Sequence, residues 1–112
     1  TLELVNNRMG LVNKTVDLLT NKDYENLKLI FNSELFEFDK DEFISNIKKF
    51  EPQFGAIKEF RPFGFRIRKA KSGINLLHIS GVLIREIQNN EFSVDLDINS
   101  NKEEVYLLQY KF

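Results

Sequence analysis

The residues best suited to chemistry in this chain of 112 residues are its single histidine and the aspartates that follow it. His78 alternates in sequence with Ser80 and Val82, so these side chains share one face of a predicted strand. An unperturbed imidazole titrates near neutral pH and can act as a general acid or base in a pocket. The alternative is a half-buried strand histidine bonded to a neighbour. We favour the alternative because the sequence identifies no residue that would orient the ring, so we assign no catalytic residue and keep His78 as the candidate.

Asp95 and Asp97 form a second candidate pair, two residues apart on one strand face. Paired carboxylates can divide acid and base roles when their surroundings differ. The segment that holds them alternates cleanly between apolar and polar residues, and the polar faces of antiparallel strands are commonly wet. We therefore expect both carboxylates to face water, and favour a solvated strand face over a catalytic pair.

Basic residues crowd into the first predicted strand and the turn after it, opposed there only by Glu59: Lys58, Arg61, Arg66, Arg68, Lys69 and Lys71. Such a ridge could meet an acidic partner, a phosphate or an anionic surface, and the interleaved phenylalanines would suit single-stranded nucleic acid. The alternative, which we favour, is an exposed strand whose charges deter edge pairing. The whole chain has 16 basic and 17 acidic residues and a net charge of −1, so we expect no nucleic-acid partner.

Several common kinds of site have no signature in this sequence. The chain has no cysteine, which excludes disulfides, thiol catalysis and cysteine-based zinc sites. It has no glycine-rich phosphate loop, metal-ligand cluster or nucleophile elbow, so we expect no cofactor and no metal. No apolar run approaches the ~18 residues of a spanning helix, so we expect no transmembrane segment. The chain begins at Thr1 without an initiator methionine, which we interpret as a processed or trimmed product. We expect a soluble domain and assign it no compartment; an extracytoplasmic location after removal of a leader, lipid anchor or tether is one hypothesis.

Three helices are predicted in the first half of the chain. Apolar residues between residues 2 and 19 recur at steps of three and four, the helical period. Thr20 with Asp23 resembles a capping box and starts a second helix, which we expect to end near residues 32–33. An apolar connection at residues 35–38 leads to the third helix.

The third helix is predicted from a second capping signal, Asp39 with Glu42. We expect Pro52 to end this helix. Its inward-facing residues are predicted to be Phe43, Ile47 and Phe50.

From Gly55 onward the period changes to two, which predicts strands. Pro62 and Gly64 interrupt the first strand, where we expect a bulge or bend. Three more strands are predicted over residues 74–87, 91–98 and 104–112, with a turn at residues 99–102 before the last one. Helices followed by hairpin-linked strands predict one α+β domain over residues 1–112, in which three N-terminal helices pack on a curved four-stranded antiparallel meander sheet.

Residues 74–87 carry apolar side chains on both faces of their strand, with Ile74, Leu76, Val82 and Ile84 opposite Leu77, Ile79, Leu83 and Ile87. One face must cover the helices, and the other would be wet in a bare monomer at a cost of ~25 cal/mol per Å². A homodimer through the sheet, a ligand pocket or a larger protein partner would explain the second face.

The order of elements, with a glycine at the start of the first strand, resembles the nuclear transport factor 2-like (cystatin-like) superfamily. The resemblance is carried by Phe50 to Phe60, reading FEPQFGAIKEF, and by the helix at residues 39–50, reading DKDEFISNIKKF. Many small bacterial members are similar in this segment: a helix ends, an aromatic-glycine pair follows and an isoleucine-containing strand begins. The resemblance implies a bent sheet wrapped around the helices, with a cone-shaped pocket at one open end.

The resemblance also implies a range of functions. Some members are enzymes, such as ketosteroid isomerases and dehydratases, and many are non-catalytic binding or protein-interaction modules that dimerise through the outer sheet face. No catalytic role of those enzymes maps onto a motif of this chain. The candidates for binding a ligand in the implied pocket are Tyr24, Phe43, His78 and Tyr106.

We therefore expect a non-catalytic binding or protein-interaction domain that self-associates through its sheet and takes a small apolar ligand or a protein partner in its pocket. The alternative is a small enzyme of the isomerase, dehydratase or hydrolase type, acting on an apolar small molecule with His78 and a carboxylate. A third hypothesis is an anion- or partner-binding surface on the basic strand.

Overall fold

A computed structural model describes residues 2–32, 39–98 and 104–111. Within these residues the chain forms helices first and strands second, which confirms the predicted α+β class. The helices are α1 (Leu2–Thr20), α2 (Tyr24–Leu29) and α3 (Lys40–Phe54), and the strands are β1 (Ile57–Lys69), β2 (Asn75–Arg85), β3 (Asn90–Asp97) and β4 (Val105–Lys111). The predicted connection at residues 35–38 and the predicted turn at residues 99–102 lie outside the described residues.

The strands form one antiparallel sheet in the order β1-β2-β3-β4, which is the predicted meander. The β1–β2 register shifts between Ile57 and Glu59 and again between Pro62 and Gly64, so the predicted irregularity at Pro62–Gly64 is confirmed. Such bulges bend a strand and increase its twist. Beyond the second shift, every residue of β1 from Gly64 to Lys69 keeps a constant register with β2.

The helices cover one face of the sheet, called the inner face. Its buried residues include Leu77, Ile79 and Leu83 of β2, which join α1, α2 and α3 in one core through Val12, Leu27 and Ile47. Because successive strand residues point to opposite faces, the opposite, outer face of β2 carries Leu76, His78, Ser80, Val82 and Ile84. We expected this second apolar face to be wet, but Leu76 is only 1% exposed and Val82 and Ile84 are half-buried.

The boundary between α1 and α2 differs from the prediction. Thr20 belongs to the last turn of α1, where its hydroxyl donates to the Val16 carbonyl at 2.8 Å. Asp23 is the N-cap of α2, and its carboxylate accepts from the Asn26 N–H. The predicted capping box from Thr20 to Asp23 is therefore wrong, because Asp23 caps α2 by itself.

α2 ends at Leu29 rather than near residues 32–33, because the chain turns there to meet β4. The Asn32 N–H donates to the Val105 carbonyl at 2.8 Å, and the Val105 N–H donates to the Ile30 carbonyl at 2.6 Å. This bridge joins segments far apart in sequence, so local helical periodicity could not place the end of α2.

The start of α3 is as predicted. The Asp39 carboxylate accepts from the N–H groups of Asp41 and Glu42 at 2.9 and 3.1 Å, which satisfies two of the free donors at the helix N-terminus. The predicted end at Pro52 is wrong, because α3 continues to Phe54.

The last turn of α3 remains helical after Pro52 because the residues around the proline are buried. Pro52 lacks only one helical N–H donor, while Glu51 and Phe54 on either side of it are buried. The Gly55 N–H closes the turn on the Glu51 carbonyl at 3.0 Å. Burial of the last turn therefore outweighs the loss of one hydrogen bond.

Gly55 joins α3 to β1. Both its backbone conformation and the lack of space around its Cα disfavour any residue with a side chain at this position. Its φ is +80°, a backbone region that glycine adopts freely. A Cβ there would lie 2.9 Å from the Glu86 Cβ and 3.0 Å from the Ile87 N. The Phe54–Gly55 junction therefore fixes how the helices meet the sheet. No helix in the described part of the chain is both long and apolar enough to cross a membrane.

Candidate functional site

A cavity of about 460 Å³ opens between α3 and the edge strand β4. Its apolar lining is Phe43, Ile47, Phe50, Leu108 and the ring of Tyr110, and its polar lining is Asp39, Glu42, Asn46, Gln109 and Lys111. The helical period of α3 places Phe43, Ile47 and Phe50 along one side. The strand period of β4 places Leu108 and Tyr110 on the other.

Aromatic contacts fix the wall of this cavity. The ring of Phe43 meets Phe31 edge to face at a centroid distance of 6.1 Å and meets Tyr110 at 6.3 Å. Tyr110 in turn meets Phe92 of β3 at 5.8 Å. Because edge-to-face pairs restrict the tilt of each ring, the aromatic wall is set by packing that extends into the core.

Behind the cavity, Glu51 of α3 and Arg85 of β2 form a buried ion pair. The Arg85 Nη1 donates to Glu51 Oε2 at 2.6 Å, and Nη2 donates to Oε1 at 2.8 Å. Nη1 also donates to the Gly55 carbonyl at 3.0 Å, and Nε donates to Asn90 Oδ1 at 2.6 Å. Buried charges are stable only with this degree of pairing, so the guanidinium ties α3, the Gly55 junction and the β2–β3 hairpin together.

Tyr110 connects this ion pair to the cavity. Its hydroxyl donates to Glu51 Oε1 at 2.9 Å and lies 3.3 Å from the Arg85 Nη2. Burial, together with the neighbouring Glu51 carboxylate, raises the pKa of Tyr110 well above its ordinary value. Burial opposes the charge of Arg85, but its hydrogen bond to Glu51 helps to hold the pKa of the guanidinium above its ordinary value.

The cavity is consequently lined by an apolar wall and a neutral phenol, with the charges behind it paired. Tyr110 is protonated at neutral pH like any ordinary phenol, and its raised pKa extends the neutral form to more alkaline pH. Glu51 is paired with Arg85. Such a lining suits the binding of an apolar molecule. Among the described residues that line the cavity, the carboxylates Asp39 and Glu42 are exposed to solvent.

His78 lies on the outer face, away from the cavity, in a chain of hydrogen bonds. Its Nδ1 is 2.5 Å from Asp95 Oδ1, and its Nε2 is 3.0 Å from Ser80 Oγ. The Arg68 Nε donates to the other carboxylate oxygen of Asp95 at 2.7 Å, and Nη2 approaches the same oxygen as an ion-pair contact. We call Arg68, His78, Ser80 and Asp95 the outer-face cluster.

The outer-face cluster corrects one prediction. Asp95 was expected to face water, but its side chain is 0% exposed, because Arg68 and His78 cover it. Asp97 lies farther along β3 and is half-buried. Apolar and polar residues do alternate along β3. Asp95 is nevertheless buried, because the long side chain of Arg68 on β1 and the ring of His78 on β2 cover its carboxylate.

The chemistry of the cluster is limited by its place in the sheet. An aspartate, a histidine and a serine in this order can transfer a proton from the hydroxyl to the imidazole. Acyl transfer also needs donors that stabilise an oxyanion. Ser80 is paired with Gly64 on one side and with Ser93 on the other, and backbone N–H groups in a paired strand serve the sheet ladder. The geometry therefore fits binding better than nucleophilic catalysis.

The structure separates the four ligand-binding candidates. Phe43 lines the cavity. Tyr24 is half-buried on α2 with Lys48 Nζ 5.3 Å from its ring centroid, and its pKa is raised by burial and by Glu51. His78 lies on the outer face, and Tyr106 is buried near the start of β4. Tyr24, His78 and Tyr106 are not among the residues that line the cavity.

Glu51 and Arg85 were missed by sequence reasoning, although each left a signal. Glu51 follows Ile47 by four residues, so it occupies an inward position of α3. Arg85 follows Leu83 by two residues, so it occupies an inner-face position of β2. Opposite charges at the inward positions of two elements predict a buried pair, because neither charge could be buried alone.

The basic residues of β1 do not form one continuous ridge. Arg61 pairs with Glu59 on the same strand at 2.6 Å, and Arg68 pairs with Asp95. Exposed apolar side chains alternate with the arginines along the strand, with Phe63, Phe65 and Ile67 exposed by 62%, 43% and 52%. Phe65 and Ile67 lie on the opposite face of β1 from Arg61 and Arg68. The edge strand β1 is therefore a mixed surface, partly neutralised and partly apolar.

Comparisons of the chain with known protein families, with curated proteins and with solved structures each found no match. Within the described parts of the chain, no group of three or more histidine, aspartate or glutamate side chains could hold a metal ion. The candidate sites therefore rest on the geometry of the cavity and of the outer-face cluster.

Proposed function

We propose that this protein is a non-catalytic binding domain that holds a small apolar molecule in the cavity between α3 and β4. The cavity of about 460 Å³ carries this proposal. Its volume falls in the range of ~300–1,000 Å³ that is typical of small-molecule sites. A mostly aromatic and aliphatic wall with polar groups at the rim is the usual lining of such sites.

Charges at the rim favour a ligand with an apolar body and a polar end. Asp39 and Glu42 stand on the α3 side, and Lys111 stands on the β4 side. Polar groups at the mouth of an apolar pocket orient a ligand while the wall supplies most of the affinity. The ligand class that fits is an aromatic or aliphatic molecule carrying one polar group.

Binding is favoured over catalysis by the state of the titratable groups that the structure describes near the cavity. Glu51 is neutralised by Arg85, Tyr110 is a neutral phenol whose pKa is raised still further from neutral pH, and His78 lies on the other face of the sheet. An isomerase or dehydratase needs a free base within about 3 Å of the proton it moves. The enzymatic alternative with His78 in the pocket therefore has the weaker support.

The resemblance to the nuclear transport factor 2-like superfamily agrees with this proposal as a hypothesis. It predicts three helices, a four-stranded meander and a pocket between helices and sheet. The element order and the conformation of Gly55 support that assignment without deciding a function.

Self-association is the second part of the proposal. Its support is the apolar strip of Phe63, Phe65 and Ile67 on the edge strand β1, where three large side chains are exposed side by side. Exposed apolar patches of this kind commonly mark contact surfaces. A second copy of the chain that presents the same strip is the simplest occupant.

Blocking the cavity mouth tests the binding proposal. Asn46→Trp places a large ring at the opening, and we expect it to weaken binding of the apolar fluorophore N-phenyl-1-naphthylamine by about tenfold or more. The measurement is the rise in fluorophore emission on titration with protein. The chain has no tryptophan, so the new residue also reports its own burial by its emission.

Ser45→Trp is the matched control, because Ser45 is the adjacent exposed residue of α3 and does not line the cavity. We expect this variant to bind the fluorophore as the unmodified protein does. Equal binding by both tryptophan variants and the unmodified protein, or no binding by any of them, would overturn the proposal.

A further inference from the structure

The centre of the outer face holds polar groups that the proposed binding function does not use. Asp95 is fully buried there, and it accepts from both Arg68 and His78. His78 is 13% exposed and reaches Ser80 through Nε2. A buried carboxylate that orients a histidine and a hydroxyl toward the surface is a built arrangement rather than a set of solvated side chains.

The charges of this arrangement do not cancel. Arg68 and Asp95 neutralise each other at 2.5 Å. Arg66 stands opposite His78 in the β1–β2 register, so its side chain lies on the same face. No residue in the described part of the chain pairs with Arg66 through a hydrogen bond or a salt bridge. Arg66 therefore offers a positive charge that no described carboxylate contacts, and protonation of His78 would add a second positive charge beside it.

Space for a ligand lies directly beside these groups. Gly64 precedes Arg66 by two residues and is paired with Ser80. A Cβ built on Gly64 meets nothing within 4 Å. The absence of a side chain leaves an open position on the outer face, bordered by Arg66, His78 and Ser80.

We propose that this position binds a small tetrahedral oxyanion, such as phosphate or sulfate, held by the Arg66 guanidinium and by the hydroxyl of Ser80 above Gly64. Guanidinium and hydroxyl groups are the usual protein ligands of such anions. This site is on the opposite face of the sheet from the cavity of the proposed function and is independent of it.

His78 couples this binding to pH. When the imidazole is neutral and its Nδ1–H donates to Asp95, Nε2 accepts the hydroxyl proton of Ser80. When the imidazole is protonated, Nε2–H donates to Ser80 Oγ instead, and the hydroxyl proton becomes free to donate to the anion. Protonation thus adds one positive charge and releases one donor.

The groups facing His78 support a small anion rather than an anionic surface. β1 presents Arg66 and Arg68, β3 presents Asp95, and β4 presents the apolar Leu107 in the same row. Over the whole outer face the cations of the described strands are balanced by acids, namely Arg61, Arg66, Arg68 and Lys111 against Glu59, Glu91, Asp95 and Asp97. A flat anionic surface would meet both signs, whereas a small ion reaches only the central positive group.

Sulfate titration tests the proposal, because the charge of sulfate does not change between about pH 5 and about pH 8, so any change of affinity over this range comes from the protein. His78 is the single histidine, so its ring signals in proton NMR spectra are unambiguous. We expect sulfate to shift these signals saturably. Affinity should be about tenfold higher at the acidic end of this range.

Three variants locate the ion. The Cβ of Gly64→Val lies in open space and its methyl groups occupy the position beside Ser80, so this variant should abolish sulfate binding in a protein that still unfolds cooperatively on heating. Arg66→Ala should weaken binding by about tenfold. Lys69→Ala is the matched control, because it removes one charge from the same strand but on the opposite face of the sheet from Arg66. It should change affinity by less than about twofold.

Three results would overturn the proposal. The first is an absence of sulfate-dependent shifts of the His78 signals in the unmodified protein. The second is equal weakening by Arg66→Ala and Lys69→Ala, which would mean general attraction to the charge of β1. The third is unchanged binding by a folded Gly64→Val protein.

Discussion

At the scale of single residues, the fold encloses a carboxylate, a guanidinium and a phenol between helices and sheet. Glu51 accepts from Arg85 twice and from Tyr110 once. Each group compensates the burial of the others, so removing one member leaves another unsatisfied. The raised pKa of Tyr110 makes this dependence measurable through pH.

Alkaline stability should depend on Tyr110. Its folded pKa lies well above the ordinary value of 10.0 because of burial and Glu51. The neutral phenol therefore stabilises the fold fully below pH 10, and this contribution is lost as pH rises through the folded pKa. We expect Tyr110→Phe to flatten the alkaline fall in unfolding free energy by up to ~1.4 kcal/mol per pH unit. Urea unfolding followed by circular dichroism at several pH values measures this.

The same variant should cost stability at neutral pH. Tyr110→Phe removes a hydrogen bond to the buried Glu51, which we expect to lower the unfolding free energy by about 1–3 kcal/mol. Tyr24→Phe is the control, because the pKa of Tyr24 is also raised by burial but no described residue hydrogen-bonds to its hydroxyl. An alkaline fall as steep in Tyr110→Phe as in the unmodified protein would contradict the assignment.

At the scale of elements, two glycines at neighbouring positions of the β1–β2 pair have opposite roles. Gly81 lies beneath Phe60, where a Cβ would be 2.4 Å from the Phe60 ring and 2.5 Å from the Arg61 carbonyl. The ring of Phe60 packs on Phe92 at 5.6 Å, so it has little freedom to move. Gly64, in contrast, has open space where a side chain would be.

Alanine substitutions should separate these two roles. We expect Gly81→Ala to lower the unfolding free energy by about 1–3 kcal/mol through overpacking against Phe60 and the backbone. Gly64→Ala should raise it by up to ~1 kcal/mol, because alanine restricts the unfolded chain and no clash opposes it. Thermal unfolding by circular dichroism compares the two. Similar effects of both substitutions would show that the close packing of β1 on β2 at Gly81 is incorrect.

At the scale of the whole molecule, the sheet has two open edges of different character. β4 is partly covered by the segment that follows α2, through the bridge from Phe31 to Val105. β1 has no strand beyond it in the described sheet and displays exposed phenylalanine and isoleucine side chains. Arginines on the outer face of β1 oppose direct pairing of two backbones, so association should run through the apolar side chains.

The unmodified protein should therefore self-associate, and charge on the strip should prevent it. We expect Phe65→Lys and Ile67→Lys to sediment as monomers in velocity experiments at concentrations where the unmodified protein forms dimers. Leu29→Lys is the control, because Leu29 is an equally apolar, 80% exposed residue on α2. A monomer at every concentration of the unmodified protein, or equal effects of all three substitutions, would rule out this surface.

Most of the element order could be predicted from the spacing of apolar residues and from capping and turn residues. The change from the helical period to the strand period at Gly55, the cap at Asp39 and the irregularity at Pro62–Gly64 are all local features, and each is confirmed. The errors arose where distant segments decide the outcome. α2 ends early because of β4, and α3 passes Pro52 because its last turn is buried.

The sequence by itself determined the α+β class, the antiparallel meander and the two faces of β2, because these follow from which residues lie three, four or two positions apart. Only the tertiary structure decided which polar side chains are buried and which of them lie together in the candidate sites. Whether Asp95 meets water depends on Arg68 and His78 closing over it, and whether Glu51 can be buried depends on Arg85 arriving from another element. Burial and charge pairing are properties of cross-element contacts, and a single strand or helix does not contain them.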